Sequence, residues 1–191
     1  MITNDIMVVR LLDRQEKLNL YNEAVAFYEL AECGRINIPE RKNVESYIPY
    51  IVNMTFATEL FLKLLLIESG KTTDAVVKLG HSLSNLYKEL TVEQQEIIYK
   101  LFKQPKVYSI SNELARADTA FIRWRYLVLD KANGKIEPSC PVHPFSEDPK
   151  ALPGKQIKDT ARGPNAYPIF FFKELNEVLC SMCRVNLGIA L

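Results

Sequence analysis

The segment Tyr47–Ile67 constrains the fold of this chain most, because it is almost entirely apolar and holds only two charged residues, Glu59 and Lys63. Apolar residues on nearly every side of a helix are typical of a helix at the centre of a bundle. A membrane span is disfavoured, since each charge near the bilayer centre costs about 2.5–3.5 kcal/mol on insertion. The pattern therefore predicts a buried core helix that starts near Pro49 and runs to Ser69–Gly70.

Apolar residues recur at three- and four-residue steps along much of the remaining chain, which is typical of amphipathic helices. The first stripe precedes a stop at Gly34 and consists of Leu20, Tyr21, Ala24, Phe27, Tyr28 and Ala31. The second follows Gly80 and consists of Leu83, Leu86, Tyr87 and Leu90. The third lies on a long helix over Ser111–Lys131 and consists of Leu114, Ala117, Phe121, Trp124 and Val128. We expect Phe121, Trp124 and Val128 to be buried.

Local signals place two further helices. Thr91 and Gln94 have the form of a capping box, in which each side chain satisfies a backbone donor at the helix start. This box predicts a helix over Val92–Lys103, which Pro105 ends. A last helix is expected to follow Pro168, from Ile169 to about Asn186.

Residues 132–166 break the helical pattern, since they hold six of the ten prolines and three of the seven glycines. A segment of this kind is predicted to be a long irregular loop outside the core. No alternating run is long enough to build a sheet. The sequence therefore predicts an all-α bundle of about five to six helices in a single domain over residues 1–191.

Composition and charge exclude several classes of protein. The 191 residues are 48% hydrophobic and 25% charged, which is ordinary for one globular domain. The formal net charge of +1 does not demand bulk DNA or an anionic membrane as partner. Residues 100–125 hold six basic and two acidic residues. This basic segment is either an anion-binding surface or a solvated helix face. The start of the chain lacks the pattern of a signal peptide, so a cytoplasmic location with reduced thiols is expected.

Four residues have the spacing of a zinc site, C-x-x-H followed by C-x-x-C. They are Cys140, His143, Cys180 and Cys183. The second pair, however, lies in a predicted helix among apolar neighbours, where free cysteines act as small core residues. We therefore predict no metal and no cofactor.

Glu59, Lys63 and His81 are candidates for a polar site. Glu59 and Lys63 are spaced for an ion pair, and Thr55 and Thr58 lie near the same stripe of the central helix. This stripe forms either a paired surface strip or part of a site. His81 precedes the short helix and is expected either to bind a ligand or exchange protons, or to cap or pack the helix start.

The cluster Arg123, Trp124, Arg125 and Tyr126 is the second candidate. A planar guanidinium beside aromatic rings suits phosphate binding or base stacking. The alternative is an arginine that pairs with a carboxylate of another helix, for example Glu59. Phosphate loops, dinucleotide fingerprints, nucleophile elbows and H-E-x-x-H zinc motifs are all missing from the sequence.

Three segments together resemble the HEPN superfamily. Ala57–Leu66 (ATELFLKLLL) is similar to the family's E-x-x-x-K helix. Gly80–Tyr87 (GHSLSNLY) is similar to its G-H-[SD]-L-x-x-L-[YF] element. Phe121–Tyr126 (FIRWRY) is similar to the F-x-x-W-R-Y element of a prokaryotic branch. The resemblance covers about residues 20–130, in the family's order.

This resemblance implies a dimeric helical bundle from a toxin–antitoxin or phage-defence setting. Many HEPN proteins are metal-independent ribonucleases whose active site is an Arg followed by a His four to six residues later. No Arg stands at that distance before His81 or His143. The resemblance therefore implies, first, binding of a nucleotide, RNA or a protein partner, with ligand-binding candidates Glu59, Lys63, His81, Arg123, Arg125 and Tyr126.

Two alternatives stay open. One is an atypical ribonuclease in which His81 is the general base and Arg125 stabilises the charged phosphorane. The other is a non-catalytic dimerisation scaffold. For either binding or cleavage we expect His81 and Arg125 to face one pocket. A homodimer is also predicted from the apolar last helix, at Ile169–Phe172 and Val185–Leu191, and no membrane partner is expected.

Overall fold

The computed structural model describes residues 11–36, 48–102, 109–118 without 116, and 169–190. Within these ranges every regular element is a helix, so the all-α prediction is confirmed. In chain order the helices are α1 (Arg14–Ile36), α2 (Ile48–Glu68), α3 (Thr73–Lys78), α4 (Leu83–Lys88), α5 (Val92–Leu101), α6 (helical residues 110–115 and 117–118) and α7 (Ile169–Asn186).

Helix α2 is the centre of the bundle, as its apolar sequence predicts. It packs against α1, α3, α4 and α7, and side chains such as Phe61, Leu62 and Leu65 are fully buried. Pro49–Glu68 is long and apolar enough to cross a membrane, but 72% of its most apolar window is buried inside the structure. The other helices thus already cover the apolar surface of α2.

A polar contact inside the core joins α2 to α7. The Asn176 side chain is fully buried, and its Nδ2 donates to the Met54 carbonyl at 3.0 Å. Thr58 Oγ1 donates to the Asn176 Oδ1 at 3.0 Å and lies 2.9 Å from the same Met54 carbonyl. Since a buried amide without partners is costly, this contact fixes the register of α7 along α2.

Local sequence signals locate several helix ends well. Helix α7 has the predicted bounds, and both hydrogen bonds of the Thr91–Gln94 capping box are present at the start of α5. Helix α1 continues two residues beyond the predicted stop at Gly34. Helix α3 was not predicted, and with it the described residues hold one helix more than expected. The side chain of Thr72 caps α3 by accepting from the Ala75 N–H.

The long helix predicted over Ser111–Lys131 is described only at its beginning, in α6. Leu114 and Ala117 are buried, as the predicted stripe requires. Phe121, Trp124 and Val128 lie outside the described residues, as does the predicted loop at 132–166.

The apolar surface expected on the last helix is largely internal. Phe171, Phe172 and Leu187 are buried against the core, whereas Val185 is 74% exposed. The sequence argument for a dimer through this helix is therefore wrong at these three residues, because they complete the core of their own chain. The homodimer itself stays a prediction from the resemblance.

Candidate functional site

Glu59 and Lys63 form the predicted ion pair on α2, with Lys63 Nζ 2.6 Å from Glu59 Oε1. The pair is not a surface strip, because only 4% of the Glu59 side chain and 18% of the Lys63 side chain are exposed. Helix α2 is covered on most sides, so a charged residue on it is buried unless it lies at the rim. A buried carboxylate of this kind requires partners.

His81 is the second partner of Glu59. Its Nδ1 lies 2.9 Å from Glu59 Oε1, the same oxygen that Lys63 contacts. An ionised carboxylate only accepts hydrogen bonds, so Nδ1 carries the proton and donates. In the neutral ring Nε2 is then the acceptor atom. The His81 side chain is 61% exposed although the carboxylate that holds it is buried.

The turn between α3 and α4 places His81 over Glu59. Gly80 has a φ of 66°, a conformation that glycine adopts without strain, and it lets the chain reverse after α3. Ser82 is the N-cap of α4, where its hydroxyl accepts from the Asn85 N–H at 3.2 Å. The interpretation of His81 as a helix cap is therefore wrong, because the next residue has that role.

Asp118 of α6 contacts the same turn and was not identified as a site residue from the sequence. Its Oδ2 accepts from the Ser82 hydroxyl at 2.9 Å and from the Ser84 hydroxyl, and its Oδ1 accepts from the Ser84 N–H at 3.2 Å. Asp118 lies 36 positions after Ser82. No spacing rule links residues so far apart, and a serine at a helix start signals only a cap for that helix's own backbone N–H groups.

Thr55 and Thr58 do not belong to the site. Thr55 Oγ1 donates to the Val52 carbonyl at 2.9 Å, within its own helix, and Thr58 contacts Asn176 of α7. Both hydroxyls are satisfied away from Glu59. The predicted polar stripe of α2 thus divides between a site at Glu59 and a helix contact at Thr58.

The two cysteines of α7 behave as core residues. Cys183 is buried, and burial raises the pKa of its thiol well above the usual range, which disfavours the thiolate that a metal requires. The other cysteine of α7, Cys180, contacts the Tyr21 hydroxyl through its sulfur. Burial and this contact raise the pKa of Tyr21 to about 12. Cys140 and His143 lie outside the described residues. Within the part that is described, no three potential ligands cluster as a metal site.

Three of the six predicted ligand-binding residues meet in the structure: Glu59, Lys63 and His81. The other three, Arg123, Arg125 and Tyr126, lie outside the described residues, and so the predicted pocket shared by His81 and Arg125 also lies partly outside them. Comparison of the chain with protein-family models, curated proteins and solved structures finds no match. A function for this chain therefore rests on the contacts of Lys63 and His81 with Glu59.

Proposed function

We propose that the chain is a HEPN-like helical protein that binds a phosphate-bearing ligand, a nucleotide or RNA, at Glu59, Lys63 and His81. One observation carries the proposal: a single buried carboxylate oxygen contacts both Lys63 Nζ and His81 Nδ1, while the His81 side chain remains largely exposed. Such an arrangement orients two nitrogen-bearing side chains before any ligand arrives. Preorganised donors of this kind lose little freedom on binding.

The chemistry of the two side chains suits phosphate. An ammonium has three N–H donors, of which Glu59 engages one, and phosphate oxygens accept hydrogen bonds from such cations strongly. A protonated imidazole adds a second charged donor through Nε2. The proposal also includes Arg125, Arg123 and Tyr126, because the family resemblance implies them as ligand-binding residues. A guanidinium suits this role, since it can donate two hydrogen bonds to two oxygens of one phosphate.

Titration with AMP and with a short single-stranded RNA tests the proposal. His81→Ala and Arg125→Ala are each expected to weaken binding by about 1.5–3 kcal/mol, the usual loss for a hydrogen bond to a charged group. Lys71→Ala is a suitable control, because Lys71 pairs with the exposed Glu89 at 2.6 Å and not with Glu59. If neither ligand binds to the unaltered protein, the proposal is wrong.

Arg125→Ala also separates a ligand role from a structural one. We expect the helix content measured by circular dichroism to stay nearly unchanged in this variant while binding falls. If the variant unfolds and no loss of binding is separable from unfolding, Arg125 is a structural ion-pair partner instead.

The contact between His81 and Glu59 favours a second candidate function, a metal-independent ribonuclease. Because Nδ1 donates to the carboxylate, Nε2 of the neutral ring has the lone pair that a general base requires. RNA cleavage in the presence of EDTA that is lost in His81→Ala would support this activity. Binding of RNA without any cleavage would favour the non-catalytic function.

A homodimer, a further protein partner, a cytoplasmic location and a toxin–antitoxin or phage-defence setting complete the proposal. All of them rest on the resemblance or on the sequence. Light scattering tests the dimer directly: one chain has a mass of 21.9 kDa, so a species near twice that mass is expected at micromolar concentration. A mass near 21.9 kDa throughout would contradict it.

A further inference from the structure

We propose that Asp118 is a positioning residue for His81. It contacts the backbone turn that carries the imidazole, and through this turn it holds the ring against Glu59. The expected effect of Asp118 on ligand binding rests on the proposed function, in which His81 contacts the ligand. The effect on the His81 ring itself does not depend on any ligand.

Asp118 holds the start of α4 at three points. Both hydroxyls, of Ser82 and Ser84, donate to its Oδ2, and the Ser84 N–H donates to its Oδ1. Hydrogen bonds to an ionised carboxylate are the stronger kind in proteins. Ser84 is only 5% exposed, so its own two contacts with Asp118 are partly shielded from competing water. The carboxylate therefore fixes the position of the turn relative to α6.

Ser82 connects this carboxylate to His81. The Ser82 hydroxyl donates to Asp118 and accepts from the Asn85 N–H, so it is held from two sides. His81 is the preceding residue, and its side chain contacts Glu59 of α2. Ser82, the residue next to His81, is thus held by α6, whereas the His81 ring is held by α2. The connection between α3 and α4 is only four residues long, from Leu79 to Ser82, so it cannot shift at Ser82 without moving the His81 ring.

Loss of the Asp118 carboxylate should release the turn and weaken the contact between His81 Nδ1 and Glu59. The Nδ1–H form of the neutral ring would then lose its acceptor, and a larger share of the ring would carry its proton on Nε2. Ligand affinity should fall roughly tenfold, which corresponds to about 1.4 kcal/mol.

The experiment is ¹⁵N NMR of protein labelled at histidine. The chain has only two histidines, so the spectrum contains His81 and His143, and His143→Gln assigns them. We expect the unaltered protein to show His81 mainly as the Nδ1–H tautomer. Asp118→Ala should shift His81 toward the Nε2–H tautomer. Asp74→Ala is the matched control, since it removes an exposed carboxylate from the first turn of the neighbouring helix α3 and should leave the spectrum unchanged.

Ser84→Ala provides a second route to the same result, because it deletes one of the hydroxyls that donate to Asp118 and changes packing little. It decides the question if Asp118→Ala does not fold. An unchanged His81 tautomer in the folded variants would overturn the inference, even if AMP binds to the unaltered protein. A changed tautomer without any binding of AMP to the unaltered protein would support the role of Asp118 and contradict the proposed function.

Discussion

Two Glu–Lys pairs in this chain have the same four-residue spacing and entirely different surroundings. In α2, Lys63 Nζ lies 2.6 Å from Glu59, and the two side chains are 18% and 4% exposed. In α5, Lys100 Nζ lies 3.3 Å from Glu96, and the exposures are 70% and 61%. The spacing allows an ion pair in both cases, and both pairs are present in the structure. What makes the first a candidate site is its burial and its third member, His81, and neither is encoded in the spacing.

The largest expected difference between the two pairs is in stability. Glu59→Ala leaves Lys63 without its carboxylate in a largely buried place, and removal of one member of a buried pair costs about 3–5 kcal/mol. Because Lys63 is partly exposed and can turn toward water, we expect a loss near the lower end, about 3 kcal/mol. Glu96→Ala should change the free energy of unfolding by less than about 0.5 kcal/mol. Urea unfolding measures both, and equal losses would contradict the assignment of Glu59 as buried and paired.

A second comparison concerns hydrogen-bonded amides. Asn176 is fully buried between α7 and α2, whereas Asn19 accepts from Gln15 on the exposed surface of α1 at 3.0 Å. Asn176→Ala should lower the free energy of unfolding by about 2–3 kcal/mol, since it leaves buried groups with fewer partners. Asn19→Ala, measured in the same urea series, should stay within about 0.5 kcal/mol. A loss of similar size for both would show that the contact between α2 and α7 contributes nothing specific.

The cap of α5 gives a smaller effect on the exposed side of the molecule. Thr91→Ala removes the acceptor of the Gln94 N–H and should destabilise the protein by about 1 kcal/mol. Thr91→Ser keeps the hydroxyl and should restore most of that loss. If Thr91→Ser is as unstable as Thr91→Ala in thermal unfolding, the effect arises from the lost methyl group rather than from the cap.

Local features of the fold could be predicted from the sequence, and contacts between distant residues could not. Helix α7 and the Thr91–Gln94 box follow from periodicity and capping within a few residues. Helix α3 is only six residues long and buries Val76 alone, too little for a periodic signal. Residue type did single out Glu59, Lys63 and His81 as candidates for a polar site, but not the contact between them and the turn that carries His81.

The contact of Asp118 with Ser82 and Ser84 joins residues 36 and 34 positions apart and depends on how α6 packs beside α4. The burial of Glu59 likewise depends on which helices cover α2. Both are consequences of tertiary packing, which sequence spacing alone does not specify. The candidate site was therefore identified by residue type and resemblance, but its geometry and its positioning residue came from the structure.

The affinity for AMP of two matched lysine variants tests the central claim most directly. Lys63→Met and Lys100→Met both keep an aliphatic stem of similar length and remove one charge from an i,i+4 pair. Circular dichroism establishes that each variant is folded at the temperature of the titration. We predict that Lys63→Met lowers the affinity about tenfold or more, as expected for a lost hydrogen bond to a charged ligand, and that Lys100→Met leaves it within about twofold. Equal affinities in the two variants would contradict a phosphate site at Glu59, Lys63 and His81.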